Sequence, residues 1–198
     1  MENVLIEICK KKYLYIIWII FLFYLILFGL GWLNPIDTVV YQTISFFISE
    51  SLTPIIKVIT FIGAWESVVT ICLICILLHR RNGMIISLNV AIVFILNNII
   101  KIIVQRSRPD ILQLVHETSY SFPSGHSMVS FALFMMIACF LWKKYRVLSM
   151  ICMIMPLLIG MTRIYLGVHY MTDVIGGFMF SFVYLITLYY FHKRTSYS

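Results

Sequence analysis

Six long apolar stretches limit what this chain can fold into. They run from about Tyr13 to Leu33, Pro54 to Leu78, Gly83 to Val104, Gly125 to Trp142, Val147 to Ile164 and Thr172 to Phe191. Each is near the ~17–25 residues that an α-helix needs to cross a bilayer. Inside lipid the backbone must satisfy its own hydrogen bonds, which leaves helices or a closed barrel. No alternating period of two is present, so a barrel is excluded. The expected fold class is therefore all-α: a polytopic membrane protein with six transmembrane helices, forming one domain over residues 1–198. Composition agrees, with 62% hydrophobic and 12% charged residues. Soluble domains carry about 25% charged residues. A soluble cytoplasmic domain, a disordered chain and a small disulfide scaffold are all excluded.

The first stretch follows Lys10, Lys11 and Lys12, as in a signal peptide. Its apolar run is too long and no small-residue cleavage site follows, so an uncleaved anchor is expected. Cys9 lies near the amino terminus, and Cys72, Cys75, Cys139 and Cys152 lie in apolar stretches. Cys72 and Cys75 form a CxxC inside a hydrophobic run, where membrane packing is expected rather than zinc or redox work.

Charge sets the expected orientation. The net charge is +7. In a soluble protein that excess would suggest nucleic acid; here its distribution matters more. Lys10, Lys11, Lys12, Arg80, Arg81, Lys143, Lys144, Arg146, Lys193 and Arg194 all fall on one side of a six-span arrangement. The positive-inside rule puts that side, and both termini, in the cytoplasm of a plasma-membrane protein. Lys57, Lys101, Arg106, Arg108 and Arg163 fall on the outer side.

Three short patterns share that outer side. Lys101 is followed by six residues and then Arg108-Pro109. Pro123-Ser124-Gly125-His126 precedes the fourth stretch. Arg163 is followed by five residues, His169, three residues and Asp173. An ionised side chain at a span end needs a route to water or a partner. Three cations converging there would form an anion site, with Arg forking onto phosphate oxygens and Lys acting as a point charge. Three separate snorkelling cations are the plainer alternative. Pro123 and Gly125 suit a helix start that approaches a ligand, where backbone N–H groups and the Ser124 hydroxyl would donate to phosphate. Ser124 is equally an ordinary helix cap. If the sixth span begins near Val168, His169 and Asp173 share a helix face. A carboxylate on one imidazole nitrogen leaves the other a free lone pair, the logic of an activated nucleophile. Zinc on His116, His126, His169 and Asp173 is the competing chemistry. Lys101, Arg108 and Arg163 would repel a metal, so none is expected.

Together these patterns resemble the three signature motifs of the type 2 phosphatidic acid phosphatase (PAP2) superfamily of membrane lipid phosphatases. The resemblance covers about Lys101 to Asp173 and departs at Thr162, where the family usually has Ser. It implies a hydrolase that works without metal or other cofactor. His169 attacks phosphorus and becomes a phosphohistidine, oriented by Asp173. His126 acts as acid on the leaving oxygen and then as base toward water. Lys101, Arg108, Ser124, Gly125 and Arg163 hold the phosphate oxygens. The implied partner is a lipid phosphate or diphosphate in the membrane. Undecaprenyl diphosphate leads, phosphatidylglycerophosphate or a broad range of lipid phosphates is the alternative, and no nucleic acid or protein partner is implied. A headgroup-binding or transport protein without catalysis is the rival of another class.

Weaker signals remain. Asn97, one turn before Lys101, is placed to hold its ammonium or to pack another helix. Glu66 within the second stretch either touches the site or pairs a neighbouring helix. Arg106 reads as a solvated or headgroup charge. His116 and His79 read as interfacial, and Tyr120, Tyr165 and Tyr170 as an outer aromatic belt. The segment Asn34 to Thr53, with Phe46 and Phe47, is expected along the membrane surface.

Overall fold

A computed structural model describes residues 11–195. Cys9 and Lys10, together with the side chains of Lys11, Lys193 and Arg194, lie outside the described residues. Among the described residues all regular structure is helical. The helices are α1 (Lys11–Gly29), α2 (Asn34–Ser45), α3 (Leu52–Ile62), α4 (Trp65–Leu78), α5 (Arg80–Val104), α6 (Gly125–Leu141), α7 (Arg146–Tyr165) and α8 (Met171–Thr195).

Four helices, α1, α5, α7 and α8, are long and apolar enough to cross a membrane. The expected second span is not one rod. It is α3 and α4, bent by 47° at a short break. Gly63 closes α3, and Ala64 takes an extended conformation before α4 starts. A Cβ on Gly63 would lie 2.6 Å from Ile159 Cγ2 and 3.3 Å from His126 Cδ2. Only glycine allows the break to sit that close to α6 and α7. α6 is a shorter apolar helix of 17 residues. The segment from Asn34 to Thr53 includes α2, which turns its Asp37 into the protein.

α6 is packed between α5, α7 and α8. Val93, Met128, Ala132, Leu133, Ala138 and Ile159 are fully buried there. Lipid tails are as apolar as these side chains, so close packing and hydrogen bonds hold the helices together. Ser181 Oγ donates to the Met128 carbonyl at 2.5 Å, Ser149 Oγ to the Ala138 carbonyl at 2.7 Å, and Tyr184 OH to Asn89 Oδ1 at 2.7 Å. Such interhelical bonds contribute roughly 0.6–2 kcal/mol each. α1 lies along α8, with Trp18 near Thr187 at one end and Tyr24 near Thr172 toward the other. Large apolar side chains such as Ile19, Phe23, Val58, Leu73, Ile95 and Ile102 cover the outside. An apolar exterior of this extent belongs to a membrane protein.

The order of the helices sorts the charges. α5 and α7 end, and α6 and α8 begin, at one end of the bundle. Lys101, Arg108, Arg163, His126 and His169 gather there. Arg80, Arg81, Lys143, Lys144 and Arg146 lie at the opposite end.

Candidate active site

Two helix termini bring the histidines together. α7 stops at Tyr165, and Gly167 turns the chain with φ +73°. That conformation suits glycine, and a Cβ there would also run into the Leu112 carbonyl. The turn delivers His169 just before α8. His169 therefore does not share the α8 face with Asp173, because the helix starts at Met171 rather than near Val168. The pair still forms: His169 Nδ1 lies 3.4 Å from Asp173 Oδ2. This is looser than the usual 2.7–3.2 Å, and catalytic hydrogen bonds tighten when substrate binds. Ser121 Oγ also donates to Asp173 Oδ2 and lies 3.5 Å from His169 Nδ1. The Tyr170 N–H donates to the same carboxylate oxygen at 2.8 Å.

His169 Nε2 points the other way, 3.4 Å from Arg108 Nη1. It faces a cavity of about 650 Å³ lined by Lys101, Arg108, Glu117, Gly125, His126 and His169. The cavity continues between α4 and α5 along Trp65, Val69, Leu73, Val90 and Phe94 as far as Ser87. Ser87 and Lys101 are fourteen residues apart on one helix, or about 21 Å at 1.5 Å per residue. One end of the space is cationic and the rest is apolar.

Each expected site residue has a definite place. Arg108 donates to the Val168 carbonyl at 2.7 Å and the Ser119 carbonyl at 2.7 Å, which fixes its fork beside His169. Lys101 Nζ donates to the Tyr120 carbonyl. Asn97 does not hold that ammonium; its Nδ2 donates to the Pro123 carbonyl at 3.1 Å. Arg163 is 2% exposed, with Nη1 on Thr60 Oγ1 at 2.9 Å and Nη2 on Glu117 Oε1. Its Nε is buried without a hydrogen-bond partner among the described residues. Ser124 is placed as the helix cap: its fully buried Oγ accepts from Ser127 N at 3.4 Å and Ser127 Oγ at 3.0 Å. An amide at a helix start has no partner within the helix and requires such an acceptor. Thr162 Oγ1 bonds the Ile159 carbonyl of its own helix at 2.6 Å.

Burial in apolar surroundings lowers the His169 pKa to about 4, helped by the Arg163 and Arg108 charges and opposed by Asp173. The ring is thus neutral at ordinary pH. Among the described residues no three His, Cys, Asp or Glu side chains converge as a metal site.

Other expectations are corrected. Glu66 is exposed and does not line the cavity. Tyr165 is buried, its hydroxyl bonded to the Ser49 N–H at 3.1 Å, rather than part of an interfacial belt. Arg106 is no solvated charge; it pairs with Asp37 and Asp173. Glu117 and Asp37 had no motif to mark them, and Arg163, Arg106 and Thr172, which they meet, lie far away in sequence.

Residues 82–197, more than half of the chain, match the model of the PAP2 superfamily. The chain belongs to the PAP2 superfamily. Its similarity to phosphatidylglycerophosphatase B of Bacillus subtilis is 46% identity over 91 residues, covering 42% of this chain and 45% of that protein. A lipid A 1-phosphatase of Rhizobium johnstonii is 38% identical over 96 residues, covering 43% of this chain and 38% of that one. The matches thus span less than half the length of these curated PAP2 relatives. Over the whole fold, the crystal structure of a transmembrane PAP2 type phosphatidylglycerolphosphate phosphatase from Bacillus subtilis superposes with a TM-score of 0.76. It is 31% identical and covers 85% of this chain and 92% of that one. Aquifex aeolicus LpxE shares the fold at a TM-score of 0.64 and 20% identity, covering 75% and 92% of the two chains.

Proposed function

We propose that the chain is a metal-independent lipid phosphatase that works through a phosphohistidine on His169. One observation carries this reading: Nδ1 of His169 is held toward Asp173 while Nε2 faces a cavity that is cationic at the histidines and apolar beyond them. A lipid phosphate has that same division.

The chemistry follows from the placement. The Nε2 lone pair attacks phosphorus, and the bond to the leaving oxygen breaks. His126, protonated as the substrate's negative charge offsets the cations around it, gives that oxygen a proton and becomes neutral. The phosphohistidine keeps its Nδ1–H on Asp173, whose charge stabilises the cationic ring. His126 then takes a proton from water, which attacks phosphorus and frees inorganic phosphate and neutral His169. Lys101, Arg108, Arg163 and the Gly125 end of α6 hold the equatorial oxygens. Phosphoryl transfer depends mostly on such positioning and charge. Arg163 does not itself line the cavity, and its unpartnered Nε is the group left free to donate to one of those oxygens. Ser124 supports the site by shaping the start of α6.

The names of the Bacillus subtilis relatives move the leading substrate from undecaprenyl diphosphate to phosphatidylglycerophosphate. We read residues 1–198 as a single domain of six spans, with the broken α3–α4 pair as the second and α6 as the fourth. Both termini face the cytoplasm and the site faces outward, because the cations of the opposite end follow the positive-inside rule.

The test is phosphate release by purified protein in detergent with excess EDTA, offering phosphatidylglycerophosphate and undecaprenyl diphosphate in parallel. Wild type releases phosphate despite the chelator, His169→Ala does not, and acid-labile phosphate accumulates on wild type during turnover. Silence on both lipids would favour a headgroup-binding protein. Loss of activity in EDTA would overturn the metal-free mechanism.

A further inference from the structure

Arg106 stands two residues from Arg108 and serves the opposite face of His169. Arg108 reaches the cavity and the Nε2 edge of the ring. Arg106 goes behind it. Its Nη1 donates to Asp173 Oδ1 at 2.6 Å and to Thr172 Oγ1 at 2.7 Å, and its Nη2 donates to Asp37 Oδ2 at 2.8 Å. Its guanidinium lies 4.0 Å from the centre of the Tyr170 ring and 5.1 Å from that of Phe28. A planar fork fixed by two carboxylates and two rings has little freedom left.

Asp37 is tied to the same place by a second route. Its Oδ1 accepts from the Thr172 N–H at 2.8 Å and its Oδ2 from Thr172 Oγ1 at 2.7 Å. Thr172 is in the first turn of α8, whose N–H groups have no partner within the helix. Asp37 therefore caps α8 from another helix, while Asp173 reaches back to the Tyr170 N–H. Asp37 and Asp173 are 3% and 0% exposed. Two buried carboxylates this close would not both stay ionised without a cation between them. Arg106 is that cation.

We propose that Asp37 and Arg106 are positioning residues for catalysis, holding Asp173 oriented and ionised so that His169 presents a neutral Nε2 to the substrate. The inference rests on the reading of His169 as nucleophile. It also makes α2 part of the catalytic apparatus, since Asp37 belongs to that helix.

The alternative is a tie that merely fastens α2 to α8. The two predict different kinetics. Neither Arg106 nor Asp37 lines the cavity. Losing a positioning residue therefore lowers kcat while KM stays near wild type. Small misplacements of reacting groups cost up to about a hundredfold in rate. Charge gives a second readout. Arg106→Gln leaves Asp37 and Asp173 to share a proton, takes away the full anion behind the imidazole, and moves the acid limb of the kcat/KM profile to lower pH. Asp37→Asn removes one anion and moves the limb the same way by less. His169 also faces Arg108, Lys101, His126 and Glu117 around the cavity and feels the buried Arg163, and these five are unchanged in both variants. Arg106→Lys restores the charge without the fork, so the limb returns toward wild type while kcat remains low.

The experiment measures kcat and KM against pH for the full chain in detergent, using phosphatidylglycerophosphate and a melting curve for each variant. Reduced kcat, steady KM and limb shifts to lower pH in both variants support the proposal. A raised KM with kcat unchanged would make Arg106 a substrate ligand and overturn it. Unchanged kinetics, or lost kcat with neither limb displaced, would reduce the pair to a structural tie and overturn it equally. If Arg106→Gln does not fold, Asp37→Asn and Arg106→Lys carry the same decision. Phosphate release by His169→Ala equal to wild type would instead sink the nucleophile reading, a result separate from any behaviour of the Arg106 variants.

Discussion

The two faces of His169 are built differently. Behind the ring, Asp173, Arg106, Asp37, Thr172 and Ser121 satisfy one another within hydrogen-bond distance, and Asp173 and Asp37 are nearly inaccessible. In front, the cations are only partly answered. Arg163 has a buried Nε without a partner among the described residues, and the carboxylate it shares with Arg108 belongs to Glu117, 28% exposed. Buried polar networks are rigid when complete. The back of the ring is a finished network, and the front is one that an arriving anion would complete.

The comparison breaks most simply at the ring itself. His169→Ala removes the nucleophile, and phosphate release falls by about a thousandfold or more. Rescue of that variant by free imidazole would keep the assignment and show the cavity to be intact. Activity near wild type would remove His169 from the mechanism.

On the front face, Arg163→Lys keeps the charge and loses the fork. Removing one oriented donor from a transition state typically costs about 10²–10³ in rate. The loss should appear in kcat as well as in vanadate affinity, because that oxyanion resembles the transferring group. A change confined to stability would show that Arg163 serves only to hold Thr60 and Glu117.

Glu117 should act in the opposite sense. Its carboxylate sits where a phosphate oxygen would compete for Arg163 and Arg108. Glu117→Gln leaves both guanidinium groups less compensated, so inorganic phosphate should inhibit about tenfold more strongly, which corresponds to about 1.4 kcal/mol. Weaker inhibition would mean that Glu117 positions Arg163 rather than competing for it.

The pH dependence tests the electrostatics of the ring. With the His169 pKa lowered to about 4, the neutral nucleophile persists well below pH 6.5. The acid limb attributable to His169 should therefore lie near pH 4. Linkage has the same sign: between about pH 4 and 6.5 the unfolded chain binds a proton on this residue that the folded chain does not, so stability rises with pH across that window. A His169 ring NMR titration near 6.5 would contradict the buried, neutral ring.

How far the sequence could be read follows the same division. The front face was legible because its residues are local: Lys101 and Arg108, and Gly125 and His126, carry their spacing within short motifs, as does the step from His169 to Asp173 behind it. The rest of the back was not. Asp37 meets Thr172 across 135 residues, and a lone sequence holds no sign of that pairing. Arg106 consequently looked like a solvated charge. The apolar helices were legible because hydropathy requires no partner, yet hydropathy passes over a bend. Gly63 interrupts no apolar run, so two helices looked like one.

The smallest expected effect separates two serines on either side of this divide. Ser121 and Ser124 flank Phe122-Pro123 and are both fully buried. Ser121 Oγ donates to Asp173 Oδ2, whereas Ser124 Oγ accepts from the first turn of α6. Ser121→Ala removes a bond that orients the carboxylate, so kcat falls with little change in melting temperature. Ser124→Ala removes a cap, which costs about 1 kcal/mol of stability, whereas Ser124→Gly costs only a few tenths. Activity per folded molecule should survive both Ser124 changes, because that hydroxyl is already committed to Ser127. If Ser124→Ala instead lowers kcat without lowering the melting temperature, its hydroxyl leaves the cap to meet the phosphate. The front face would then include a donor that is held in reserve until substrate arrives.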